Sequence, residues 1–112
     1  MNIQIYGKKK CFDTQKAERY FKERRISYQF IDIMRYGLSK GELQSVLKAV
    51  GWEALVDTQS DKYKSSTIPY LSSEENKIEA LLEHPSFYRT PIVRNGKKAT
   101  VGYKPEVWSN WE

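Results

Sequence analysis

Cys11 is the only cysteine in the 112-residue chain, and His84 is the only histidine. That count leaves no material for an internal disulfide, a CxxC pair or a multi-cysteine metal site. With one histidine, neither a His-based metal centre nor a Cys–His nucleophile pair is expected. The chemistry open to Cys11 is that of a lone thiolate: attack on an electrophile or on a disulfide sulfur. Its surroundings favour that form. Ile3 and Ile5 alternate with polar residues as in a short strand. Gly7 permits a turn, and Lys8-Lys9-Lys10 follow. From Phe12 the period becomes helical, with Ala17, Tyr20 and Phe21 on one face. Cys11 therefore stands in a strand-to-helix loop, at or beside a helix N-terminus. There, unpaired backbone N–H groups and the helix dipole favour an anion, and a cysteine's pKa falls. Lys8, Lys9 and Lys10 are expected to push the same way, and Asp13 against them. The bland alternative is a half-buried cysteine without a role.

The elements that must hold this thiol fit one folding unit spanning 1–112, long enough to bury a core without covalent staples. The composition, 39% hydrophobic and 13% aromatic, is that of a folded globular chain. No apolar run approaches the roughly 20 residues that span a bilayer, so no membrane association is expected. The chain enters a strand without a basic and then apolar leader, so no secretory signal is expected either. A single cysteine suits a reducing, cytoplasmic compartment. The net charge is +5, but Lys and Arg are spread among acidic residues. The expectation is a solvated surface and no direct nucleic-acid binding.

In chain order, Phe12 to Arg24 reads as a helix and Ser27 to Ile33 as a second strand. Together with the first strand they form a βαβ unit with parallel strands. A helical stretch follows, about 34–86. Ser39-Lys40-Gly41-Glu42 is a capping box, Leu43, Val46, Leu47 and Val50 give the apolar stripe, and Gly51 is a C-cap. Trp52 to Asp57 reads as a further short helix, with Trp52 either in the core or an exposed apolar contact. Thr58 to Ser66 is polar, has no clear period and reads as a loop or a frayed turn. Ser72-Ser73-Glu74-Glu75 reads as a second capping box, before Ile78, Leu81 and Leu82. His84-Pro85 closes that helix. Pro91 opens a strand, Asn95-Gly96 marks a hairpin, and Pro105 starts a short terminal helix.

A cysteine in the first loop of a βαβ start, and a ββα finish opening on Thr90-Pro91, resemble the thioredoxin-fold plan. Ile3-x-Ile5-Tyr6 before Cys11, Gly51-x-x-x-Leu55-Val56-x-Thr58-x-Ser60, His84-Pro85 and Thr90-Pro91-Ile92-Val93 resemble the arsenate-reductase-like (ArsC/Spx) family over essentially the whole chain. The resemblance implies an α/β thioredoxin-like fold with a mixed four-stranded sheet and an all-helical insertion between strands two and three. It implies that Cys11 is the nucleophile and that Pro91 is a cis-proline. Thr90, with Lys8 and Arg89 nearby, would bind the thiol partner or substrate. No bound cofactor is implied; glutathione or another small thiol would serve as co-substrate, and glutathione or glutaredoxin as the resolving partner. Arsenate reductases of the family use three arginines, where this chain has Thr90, Asp57 and Tyr103 or Lys104, so weak arsenate reduction is expected. The regulator branch of the family carries Cys-x-x-Cys, where this chain has Thr14, which excludes an internal disulfide switch. In that branch the position of Gly51 contacts the C-terminal domain of the RNA polymerase α subunit; Gly51 here is equally a helix cap.

Overall fold

A computed structural model describes residues 1–111. Four strands, β1 (Ile3–Gly7), β2 (Tyr28–Asp32), β3 (Ile92–Asn95) and β4 (Lys98–Val101), form one sheet in the order β2-β1-β3-β4. β1 and β2 run parallel, joined through α1 (Phe12–Glu23), and the β1–β3 and β3–β4 pairs are antiparallel. Between β2 and β3 lie α2 (Ile33–Tyr36), α3 (Lys40–Val50), α4 (Trp52–Leu55), α5 (Asp61–Ser65), a 3-10 turn at Ile68–Tyr70, α6 (Glu74–Leu82) and a second 3-10 turn at Pro85–Phe87. α7 (Pro105–Trp108) follows β4.

The period-two alternation of the strands divides the core between the two faces of the sheet. Ile3, Ile5 and Val93 pack with Ala17, Tyr20, Phe21, Trp108 and Trp111 on the α1 and α7 side. Tyr6 and Ile92 pack with Leu43, Val46, Leu55, Leu81 and Tyr88 on the side of the helical insertion. Trp108 Nε1 donates to Thr100 Oγ1 at 2.7 Å, which satisfies the one polar group that the indole carries into this core. The hydroxyl of buried Tyr6 donates to Glu42 and accepts from Arg94 Nη1 at 3.3 Å, joining β1, β3 and the first turn of α3.

The capping box at Ser39 is present in full, with Ser39 Oγ accepting from Glu42 N–H and Glu42 accepting from Ser39 N–H. Three local expectations need correction. The stretch Thr58 to Ser66 is not all loop: Ser60 caps α5, whose single buried residue is Tyr63. One apolar anchor in five residues leaves no period to read. The cap of α6 is Ser73 rather than Ser72; its Oγ accepts from Asn76 N–H, so the Ser72–Glu75 box does not form. The loop residues of the β3–β4 hairpin are Gly96 and Lys97, because Asn95 remains in β3 opposite Lys98 and its side chain accepts from Asn2 N–H. Gly96 takes the positive φ that this two-residue turn demands.

Candidate active site

β1 ends at Gly7, and the chain turns so that Cys11 N–H donates to Lys8 O at 3.1 Å. Cys11 is the N-cap of α1, with extended backbone (φ −88°, ψ 116°), and its carbonyl accepts the first helical bond from Gln15. The next turn explains why the loop starts on a glycine. A Cβ on Gly7 would run into the Thr14 side chain, which is buried directly against the end of β1. Thr14 is only 2% exposed, and its hydroxyl has no hydrogen-bond partner. A buried orphan hydroxyl is costly and calls for an acceptor.

The other wall comes from the far end of the chain. The Thr90–Pro91 peptide bond is cis. Pro91 O accepts from Gly102 N–H at 2.8 Å, which ties this loop to the end of β4. The Cys11 thiol points at Thr90 O, 3.5 Å away. Cys11 is partly exposed, so the sulfur is reachable.

Burial pushes the Cys11 thiol up. Hydrogen bonding of the thiolate to the Thr14 and Thr90 side chains, and to the Thr14 and Asp13 N–H groups, outweighs it, and the pKa lies below the ordinary thiol value. The neutral thiol closes no side-chain cap bond to α1; these donors act on the ionised form. Of the causes that lower the pKa, the hydrogen bond of the Thr14 side chain to the thiolate is the largest. The Thr14 and Asp13 N–H bonds are the helix N-terminus acting as expected, whereas no lysine stands among the largest causes, contrary to the sequence expectation that Lys8 to Lys10 push the same way. Lys9 and Lys10 are exposed to solvent, where charges are screened.

Lys8 does face the site. Its ammonium donates to Ser86 O (3.3 Å) and Tyr88 O (3.1 Å). Burial lowers its pKa, opposed by the Cys11 thiolate and then by Asp57. Arg89 bonds Val56 O through Nε at 3.4 Å and stands 3.7 Å from Asp57. Lys8, Asp57, Arg89, Thr90 and Lys104 line one open cleft of about 670 Å³. Of the sequence candidates, Lys8, Arg89 and Thr90 line this cleft, and Cys11 and Pro91 adjoin it through Thr90. Gly51 caps α3 with φ +86°, outside the cleft lining, and an added Cβ there would meet no atom within 4 Å. Trp52 is half-buried against the insertion core. His84 stacks on Phe87. Thr14 was read only as a missing cysteine; its spacing of three from Cys11 on a first helical turn was the available signal. Among the described residues no group of three or more His, Cys, Asp or Glu could hold a metal ion, and no helix is long and apolar enough to cross a membrane.

Comparison with known proteins adds an independent line. Residues 6–111 match the sequence profile of the ArsC family. The global transcriptional regulator Spx 2 of Oceanobacillus iheyensis is 33% identical over 109 residues, 92% of this chain and 78% of that protein. The arsenate reductase of Haemophilus influenzae is 28% identical over 111 residues, 96% of each. In three dimensions, an ArsC family related protein from Bacteroides fragilis aligns with a TM-score of 0.80 at 26% identity, over 97% of this chain and 96% of that one.

Proposed function

The chain belongs to the ArsC family, and from that premise we propose that it is a thiol-exchange reductase working through Cys11 alone. The Cys11 thiolate attacks a disulfide sulfur, or an equivalent electrophile, of the substrate. One substrate half leaves as a thiolate and takes a proton from solvent, while the other stays on Cys11 as a mixed disulfide. A second thiol must come from outside, since no other cysteine exists. A small thiol of the glutathione type, or a glutaredoxin-type protein thiol, attacks the mixed disulfide and regenerates Cys11. The observation that carries this reading is the meeting of the Cys11 sulfur, at the N-cap of α1, with the cis-proline loop at Thr90. Thr90 and Pro91, just before β3, supply backbone groups against which a partner's thiol segment can lie, with Lys8 and Arg89 beside them.

Arsenate is a poor fit. A multiply charged oxyanion needs paired, charge-assisted donors. The cleft has one arginine, Arg89, already engaged by the Asp57 carboxylate, and its other cations, Lys8 and Lys104, are point charges without the bidentate fork. Arsenate turnover is expected to be weak.

A second reading has its own support in the 33% identical regulator and in the open, solvent-facing cap at Gly51. In that reading the α3–α4 corner docks on the C-terminal domain of the RNA polymerase α subunit, and Cys11 modulates it. One experiment separates the two. Wild type and Cys11→Ser are used as bait in the native host, with elution by reductant and then by salt. Thiol exchange predicts partners released by reductant from wild type only. Polymerase retained equally on both baits would instead favour regulation.

A further inference from the structure

The cleft beside Cys11 holds a charge arrangement that thiol exchange by itself does not require. Asp57 and Arg89 each follow one partner of the isolated bridge Val56–Tyr88, so the backbone sets both charges on one wall. Asp57 N–H donates to Phe87 O at 2.9 Å, and its Oδ1 accepts from Gln59 N–H at 3.3 Å. Arg89 N–H donates to Leu55 O at 2.6 Å. The ion pair between the two side chains is long, 3.7 Å, and its members are 45% and 44% exposed. A pair of this kind contributes little to stability, so it can open at small cost. The Lys8 ammonium, held by Ser86 and Tyr88 carbonyls, lies in electrostatic reach of both Asp57 and the Cys11 thiolate.

We propose that Asp57 is the charge filter of this cleft, admitting zwitterionic aminothiol disulfides to Cys11 in preference to anionic ones. The inference rests on the thiol-exchange reading above. A zwitterion can enter the Asp57–Arg89 pair by exchange: its ammonium takes Asp57, its carboxylate takes Arg89, and no charge is left unpaired. An anionic ligand finds Arg89 already engaged by Asp57 and meets the carboxylates of Asp57 and Asp13, against the attraction of Lys8 and Lys104. The chemical step is the same for all ligands. The Cys11 thiolate attacks one ligand sulfur, the ligand's S–S bond breaks, the Cys11–ligand disulfide forms, and the other half leaves as a thiolate that is protonated by water.

The test uses the full chain and three symmetrical disulfides: cystine (zwitterionic), hydroxyethyl disulfide (neutral) and dithiodiglycolate (dianionic). Mixed-disulfide formation on Cys11 is followed by intact mass. Each rate is divided by the rate of the same disulfide with monothioglycerol, a neutral thiol that differs from both halves of every probe. Wild type should favour cystine over dithiodiglycolate. In Asp57→Asn, which keeps the acceptor for Gln59 N–H, dithiodiglycolate should gain about fivefold relative to the neutral probe, the size expected for one unit charge at about 4 Å in water. Cystine should lose ground in the same variant, and Arg89→Gln should shift dithiodiglycolate the opposite way. Both effects should shrink at high salt. Charge ratios unchanged in Asp57→Asn, with Cys11 still reactive, would overturn the filter alone. A wild-type Cys11 no faster than monothioglycerol toward the neutral probe would overturn the exchange reading and the filter with it.

Discussion

Thr14 keeps its hydroxyl in the interior with no acceptor while Cys11 is a neutral thiol. Its hydrogen bond to the thiolate is the largest of the causes that hold the Cys11 pKa down. A hydrogen bond to a charged group contributes about 1.5–3 kcal/mol, and a site partly open to water belongs at the lower end. Thr14→Val is therefore expected to slow Cys11 alkylation at neutral pH and to raise the Cys11 pKa. Thr14→Ser should leave it near the wild-type value. Alkylation rate against pH measures this, and equal midpoints for Val and wild type would remove Thr14 from the account. The sign for stability follows from the same shift. Folding lowers the Cys11 pKa, so the thiolate's contribution is complete above the unfolded value of about 8.5 and is lost as pH falls through the folded one. The count of one cysteine was legible in the sequence. The orphan hydroxyl was not, because burial of Thr14 depends on how closely α1 approaches β1.

At the scale of elements, the site depends on that approach. α1 begins directly after the turn, and Gly7 faces Thr14 with no room for a side chain. Gly7→Ala is expected to push the first turn of α1 away from the sheet. The cost should resemble other overpacked sites, about 1–3 kcal/mol, read as a lower denaturation midpoint. The same variant should slow Cys11 alkylation at neutral pH, since the N–H groups of Asp13 and Thr14 move with the turn. A midpoint shift without any change in alkylation would separate the fold from the site. The strand, the helix start and the Ser39 capping box could be read locally, because period and cap chemistry depend on near neighbours. α5 and the Ser73 cap could not. Short segments held by one buried side chain take their form from what they pack against.

Across the whole molecule, the sheet separates two cores, and buried polar groups cross between elements at few points. Tyr6 is one of them. Burial, followed by its hydrogen bond to Glu42, raises its pKa to about 12. The unfolded chain releases this proton first, near the ordinary value of about 10. Stability is therefore expected to fall as pH rises from about 10 through about 12, with a slope of up to about 1.4 kcal/mol per pH unit from this group. Denaturant midpoints in that range measure it, and Tyr6→Phe should flatten the decline. A decline equally steep in the phenylalanine variant would place its origin elsewhere. By itself the sequence determined the nature of the chemistry: one thiol, no partner cysteine, a strand-to-helix loop, and the order of strands and helices. These follow from residue counts and from interactions within a few positions. Only the tertiary structure decided which residues surround the sulfur. Thr90, Asp57 and Arg89 lie 46 or more positions from Cys11 along the chain, and β1 meets β3 through antiparallel pairing that brings the cis-proline loop to the start of α1. That closure is set by how the two cores pack on the sheet, which no local pattern encodes.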